Sequence, residues 1–275
     1  MASAEPVHGG DVNVAARVVT GDGPVFVKWR EGAPPDLFEA EADGLRALGE
    51  VGALRVPRVL HVSREPAFLV LEYIASTIPS NEPAFSCRFG KALATLHRST
   101  IREDFGYSRD NYLGGQPQES FPFDTSWANF YVSRRLLPQM ALGIKLGRIG
   151  KKREWALMDV LNVVPDILGD MPNESSLIHG DLWSGNFLCA ANDEPVLIDP
   201  AVYYAPREME IAYVGLFGGF PSNFVANYDA AYPLDSGYAR RRSLHTLYPL
   251  LIHLNHFGEK YGPAVDRICA EYGSG

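Results

Sequence analysis

The sequence predicts an α+β chain in two lobes: a small antiparallel sheet with one helix over residues 1–75, and a larger, mainly helical part over residues 76–275. The first part is dense in apolar and β-branched runs of strand length, broken by turn residues and interrupted by one helical pattern. A Pro- and Ser-containing stretch from Ser76 to Pro83 ends that composition, and beyond it apolar residues recur at helical spacings. The second part also places Asp181, Asn186 and Asp199 at the ends of short apolar strands, where a rigid scaffold presents chemistry.

At 275 residues and 46% hydrophobic, the chain can bury a full core. No apolar run approaches the ~20 residues that span a bilayer. The start, Met1-Ala2-Ser3-Ala4-Glu5-Pro6, lacks a basic region followed by an apolar stretch. A cytoplasmic protein with no membrane partner is expected. Cys87, Cys189 and Cys269 are odd in number and widely separated, which fits neither a disulfide framework nor a zinc motif. They read as small core residues or, at most, exposed thiols. A net charge of −8 argues against nucleic acid as a partner. In so acidic a chain, single Lys and Arg residues become informative about any anionic ligand.

Val12 to Thr20, a turn at Gly21-Asp22-Gly23, and Pro24 to Trp29 read as a hairpin. Gly9 and Gly10 at its root would let backbone amides approach a phosphate, with a plain turn as the competing reading. Lys28 has apolar neighbours on both sides, which calls for a partner unless strand alternation turns it to solvent. The helical pattern Leu37, Ala40, Glu41, Gly44, Leu45, Leu48 ends near Gly49 and Gly52 and puts Glu41 on its apolar face. A carboxylate there wants a counter-charge, and Lys28 is available; a rim position on a surface helix is the other reading. Glu39 points away from the Leu37-Leu45-Leu48 side. Val56 to Val62 and Ala67 to Leu71 complete a four-stranded sheet. Where the last strand leaves for the interlobe stretch, backbone groups of Glu72 and Ile74 are placed to bond an adenine edge.

In the second part, Phe85, Phe89, Leu93 and Leu96 mark a helix that stops at Arg98-Ser99-Thr100, with His97 beside the stripe as a structural hydrogen-bonding residue. Phe105 to Pro122 reads as loop. Helices are expected from about Asp124 to Gly147, kinked by Pro138, and from about Lys151 to Leu168. After Asp199 come Pro200 to Glu210, and from there the chain is expected to be helical to its end, with His253 and His256 as packing residues of an apolar helix.

The chemistry concentrates in Leu177-Ile178-His179-Gly180-Asp181-Leu182-Trp183-Ser184-Gly185-Asn186 and, after a turn at 192–195, Val196-Leu197-Ile198-Asp199. Their order matches the phosphoryl-transfer template. There an Asp takes the proton of an attacking hydroxyl, a following Asn and a later Asp hold magnesium, and a strand Lys paired with a helix Glu holds the nucleotide phosphates. Asp and Asn also cap helices and make turns, so the Lys28 and Glu41 pair is the independent support.

With these residues, the sequence resembles the fructosamine kinase (ketosamine kinase) family, a branch of the aminoglycoside phosphotransferase group with a protein-kinase-like fold. The resemblance covers nearly the whole chain. It runs through Phe26-Val27-Lys28, Leu37 to Leu45, Leu71-Glu72-Tyr73, Leu93 to His97, Asp110-Asn111 and Trp127 to Gln139. Its most specific part is His179 to Asn186, followed by Asp199-Pro200-Ala201, Tyr203-Tyr204, Arg207-Glu208 and Phe217-Gly218-Gly219-Phe220.

The resemblance implies ATP and Mg2+ as cofactors, with Asp181 orienting and deprotonating a sugar hydroxyl and Asn186 and Asp199 binding the metal. Lys28 would meet the phosphates and Glu41 would fix Lys28. It implies a ketosamine substrate, free or protein-bound, phosphorylated on the third carbon of its sugar in protein deglycation, with Trp183 lining the pocket, in a chain acting as a monomer. Gly9-Gly10-Asp11-Val12-Asn13 matches the family's glycine-rich loop only loosely, and Ala205 and Glu210 stand where the family usually shows Gly and Asp. Competing readings are an aminoglycoside or choline-type kinase of the same fold, and a non-catalytic nucleotide-binding pseudokinase.

Overall fold

A computed structural model describes residues 3–7, 13–169 and 171–273. Its first part is a five-stranded antiparallel sheet in the order β1-β2-β3-β5-β4. The predicted hairpin is β2 (Val14–Thr20) and β3 (Gly23–Trp29), closed by the Thr20 and Gly23 pair around a turn at Gly21 and Asp22. β4 (Val59–Arg64) and β5 (Ala67–Glu72) follow the one helix of this part, with β5 pairing β3. One strand more is present than the sequence leads one to expect: β1 (Ser3–Pro6) pairs with the outer edge of β2. Ser-Ala-Glu-Pro carries no strand-forming side chain. The ladder alone holds it, and Pro6 is tolerated because the strand is an edge.

Helix α1 (Leu37–Val51) packs Leu37, Phe38, Ala42 and Leu45 against Leu69 and Leu71 of β5, which makes the small core of this lobe. It ends at Gly52 with φ 69°, the left-handed conformation that glycine adopts at helix ends without strain. The linker is tied to the second lobe by Thr77, whose amide donates to the Cys189 carbonyl at 2.8 Å. Ser80 binds it too, donating to the Asp193 carboxylate through its amide and its hydroxyl.

Helix α2 (Glu82–Ser99) begins at Asn81, whose side chain accepts from the Ala84 amide, with Pro83 in the first turn. The expected loop contains a short hairpin, β6 (Asn111–Leu113) and β7 (Gln116–Gln118). The expected helix of 124–147 begins at Trp127 as α3 (Trp127–Phe130), widens into a π-helical stretch over Tyr131–Leu136, and continues as α4 (Leu137–Lys145). The distortion attributed to Pro138 thus lies in the turn before it, where the Leu137 amide reaches back to the Val132 carbonyl. Helix α5 (Lys151–Leu168) lies where its pattern placed it.

Two short antiparallel pairs then carry the loops of interest. β8 (Ser176–Ile178) pairs with β11 (Tyr203–Ala205), and β9 (Phe187–Ala190) pairs with β10 (Glu194–Leu197). β11 lies in the stretch before Glu210 to which no element is assigned from the sequence; three residues are too few for a periodic signal. The remainder is α6 (Arg207–Val214), α7 (Phe224–Ala231), α8 (Tyr238–Phe257) and α9 (Gly262–Tyr272). Cys189 and Cys269 are buried free thiols and Cys87 is half-buried. Among the described residues no helix is long and apolar enough to cross a membrane.

Phe89 of α2 is fully buried and its ring meets Phe187 at 5.1 Å, Phe224 at 4.8 Å and Phe220 at 6.1 Å. It joins α2 to the hairpin that follows Asn186. Phe89→Ala is expected to cost about 3–5 kcal/mol of unfolding free energy in urea titration; a loss below about 1 kcal/mol would show that this cluster does not anchor the hairpin.

Candidate active site

β8 delivers the chain into His179-Gly180-Asp181. Gly180 has φ 82°, and a Cβ there would stand 2.1 Å from the Ala201 carbonyl oxygen, so no other residue fits between the two crossing backbones. His179 is fully buried. Its Nδ1 accepts from the Asp181 amide at 3.2 Å, which leaves Nε2 as the donor to the Ile198 carbonyl at 2.8 Å. Burial lowers its pKa, in keeping with a neutral ring that staples the two loops.

Both oxygens of Asp181 are engaged. Asn186 Nδ2 donates to Oδ2 at 2.9 Å and to the Asp181 carbonyl at 2.8 Å, and the Tyr213 hydroxyl donates to Oδ1 at 2.7 Å. Burial pushes the Asp181 carboxyl up to about 7, against the opposing pull of the Tyr213 and Asn186 hydrogen bonds. Trp183 is half-buried, and its ring lies over Gly185, where a Cβ would come within 2.3 Å of it.

Lys28 is 5% exposed, and its ammonium lies 2.9 Å from Glu41 and 2.9 Å from Asp199 Oδ1. Burial would depress its pKa, but the two carboxylates, Asp199 first, outweigh that and hold the ammonium charged. Burial raises Glu41 against the pull of Lys28. Asp199 sits just after β10 with φ 54°, a left-handed backbone that Asp tolerates better than most side chains. Glu39 pairs with Arg64 at the surface, as the helix pattern indicates.

The Ile198 amide donates to the Asn186 carbonyl at 3.0 Å, so the Lys28–Glu41–Asp199 cluster and the Asp181–Asn186 pair adjoin where the sheet meets the helical lobe. Glu72 ends β5, its amide donating to the Arg58 carbonyl and its carboxylate accepting from Arg55 at 2.7 Å; Ile74 begins the linker, half-buried. Gly9 and Gly10 lie outside the described residues.

Two residues of the site were not assigned to it from the sequence. Tyr213 on α6 is 3% exposed and reads as a core aromatic. Glu210, one turn earlier, is buried and accepts from the Gly180 amide at 3.0 Å and from His97 Nε2 at 2.9 Å, while His97 Nδ1 meets the Tyr228 hydroxyl at 2.8 Å. His97 is structural, as read. Burial raises Glu210, but the His97 contacts and the Gly180 amide outweigh it and lower its pKa. The unusual Glu at 210 was the available signal: it binds the Gly180 amide from behind the His179–Asn186 loop.

The donor set suits magnesium. With Asn186 Nδ2 spent on Asp181, its Oδ1 remains, and Asp199 keeps one oxygen beyond the one on Lys28. Two hard oxygen ligands fit an ion that retains waters and substrate phosphates. Among the described residues no group of three or more His, Cys, Asp or Glu forms a metal cage.

A carboxyl lifted to about 7 destabilises the fold as pH rises: from about pH 4 the unfolded carboxyl ionises, while the folded one does so only near 7. The stability present below about pH 4 is lost as pH rises through 7. Asp181→Asn cannot ionise, so in metal-free protein its Tm should gain on the parent between about pH 4 and 7 and level off above. A Tm difference that does not change with pH would contradict the burial of this carboxylate.

The family model for fructosamine kinase matches residues 1–272. The chain is 37% identical over 260 residues to a probable ketoamine kinase of Synechocystis, covering 93% of this chain and 85% of that protein. It is 32% identical over 270 residues to a chloroplastic protein-ribulosamine 3-kinase of Arabidopsis thaliana, covering 97% and 81%. A crystal structure from Thermobifida fusca, provisionally assigned as a fructosamine-3-kinase, superposes with a TM-score of 0.88 at 31% identity, covering 98% of this chain and 93% of that one. The aminoglycoside phosphotransferase APH(4)-Ia shares the fold alone, with a TM-score of 0.68 at 15% identity over 100% of this chain and 95% of that one. With a family match over almost its whole length and a cleft of this composition, the chain belongs to the fructosamine kinase family.

Proposed function

We propose that this protein transfers the γ-phosphoryl group of ATP, presented with Mg2+, to the sugar 3-hydroxyl of a ketosamine, in protein deglycation. The observation that carries the reading is the pairing, in one cleft, of Asp181 with Asn186 and of Lys28 with Glu41 and Asp199. The names of the relatives in two kingdoms supply the acceptor class. Residues 1–75 hold the nucleotide phosphates, and residues 76–275 carry the catalytic loop, the metal ligands and the acceptor pocket. The protein acts as a cytoplasmic monomer.

Asp181 accepts the proton of the attacking hydroxyl. The Tyr213 and Asn186 hydrogen bonds stop its carboxylate from rotating, and each oxygen keeps a lone pair for the acceptor. Lys28, held by Glu41, places a buried positive charge against the phosphates. Asn186 Oδ1 and Asp199 hold the metal, which when bound neutralises charge on the transferring group. Glu72 and Ile74 present backbone groups to the adenine edge, Gly9 and Gly10 approach the phosphates, and Trp183 lines the sugar pocket.

Asp181→Asn should lower kcat by ~10²-fold or more while nucleotide affinity is kept, measured by coupled assay and nucleotide titration. Lys28→Met should lower kcat through misplaced phosphates; equal activity to the parent would remove the Lys28–Glu41 pair from the mechanism. A panel of ketosamines, choline and aminoglycosides with magnesium ATP tests the acceptor class. Turnover of ketosamines alone is expected, and phosphorylation of choline or an aminoglycoside with no ketosamine turned over would overturn the assignment.

A further inference from the structure

A cavity of about 460 Å3 opens where α1 meets the second lobe, and none of the described residues assigned to phosphoryl transfer lines it. Ala47, Glu50 and Val51 of α1 form part of its wall, and Tyr107, Phe123 and Tyr204 bring aromatic rings to it. The volume is that of a small-molecule site, which runs from about 300 to 1,000 Å3.

Its charged groups are of both signs and have capacity to spare. The Arg102 guanidinium stacks over the rings of Phe123 at 4.7 Å and Tyr204 at 4.6 Å, and Asp104 lies 2.8 Å from its Nε and 3.0 Å from its Nη2. Arg102 Nη1 has no hydrogen-bond or ion-pair partner among the described residues, and neither does the exposed Glu50 carboxylate. A ligand carrying a single charge would meet one attractive and one repulsive neighbour here. A neutral polyol meets no such penalty, because each hydroxyl can donate to Glu50 or accept from Arg102. Ring surface beside such groups suits the C–H face of a sugar.

The cavity also touches both elements that present the catalytic groups. α1 carries Glu41, and a Cβ on Gly44 would come 3.3 Å from Val202, so this helix lies close against the segment leading into β11. Leu177 and Tyr204, opposite each other in the β8 and β11 ladder, both line the cavity, and β8 runs on into His179-Gly180-Asp181. We propose that this cavity is a regulatory site for a free monosaccharide, whose binding holds α1 against the catalytic half and so favours the Lys28–Glu41 pair. Such a sugar is what condenses with an amine to give a ketosamine, so the site reports the supply of acceptor. Sugar occupancy and nucleotide affinity then strengthen each other reciprocally. The site stands on the cavity, and its effect on nucleotide binding rests on the kinase reading above.

The test takes D-glucose as the probe, read by saturation-transfer difference NMR on metal- and nucleotide-free protein. A Kd of ~1 mM is expected for a ligand of this size. Glu50→Ala and Ser108→Trp, both at exposed positions that line the cavity, should each weaken glucose ~5-fold or more while turnover without added sugar stays that of the parent. In the parent, saturating glucose should tighten a non-hydrolysable ATP analogue with Mg2+ by about 5-fold, and in the two variants it should not. No glucose signal in the parent, a signal that survives both substitutions, or an equal signal from choline or acetate would overturn the sugar site. Glucose bound at the cavity with no change in analogue affinity would overturn the regulatory role. An analogue that binds under no condition would remove the kinase reading and the regulatory role together, while the glucose signal still decides the site.

Discussion

One buried cation organises the cleft. Lys28 lies within 2.9 Å of a carboxylate from its own lobe, Glu41, and of one from the other lobe, Asp199. Removing an ammonium from water is costly unless it is paired, and a lysine with two carboxylates leaves a local charge of −1 that a phosphate-bound metal would offset. The pair sets the position of α1 on the sheet, and the contact to Asp199 sets the sheet against the catalytic half. Removing the Lys28 charge leaves Glu41 buried without compensation, whereas removing either carboxylate leaves Lys28 with a single partner and frees one of the two elements it ties together.

The catalytic half answers that constraint with rigidity. Asp181 is locked between Asn186 and Tyr213, its backbone passes through a glycine that nothing larger could replace, and the loop is held from behind by Glu210 and His97. The burial that lifts Asp181 to about 7 suits the proton-accepting role proposed for it and lowers the stability of the fold at the same point. A group kept in an unfavourable environment by its neighbours is a mark of function rather than of packing.

The legible part of the protein was the part in which local chemistry conflicts with local pattern. A lysine in an apolar strand and a glutamate on the apolar face of a helix cannot both be solvent-exposed without breaking the period, so their pairing could be read, as could Glu39 pointing elsewhere. The aspartates and asparagine were readable because short apolar strands end at them. Tyr213 was not, because a buried tyrosine on α6 has the same sequence pattern whether its hydroxyl meets a carboxylate or a carbonyl. β1 and β11 were missed because strands of four and three residues are fixed by their partners and not by their own side chains. The π-helical turn before Pro138 has no pattern separable from an α-helix.

The central claim is that this cleft places phosphate on one defined hydroxyl of a ketosamine. The most direct measurement is 31P and 13C NMR of the product formed from a 13C-labelled fructose ketosamine and magnesium ATP. A single phosphate ester coupled to carbon 3 is expected, absent with Asp181→Asn. Phosphate on another carbon, or ATP consumed with only inorganic phosphate released, would contradict it.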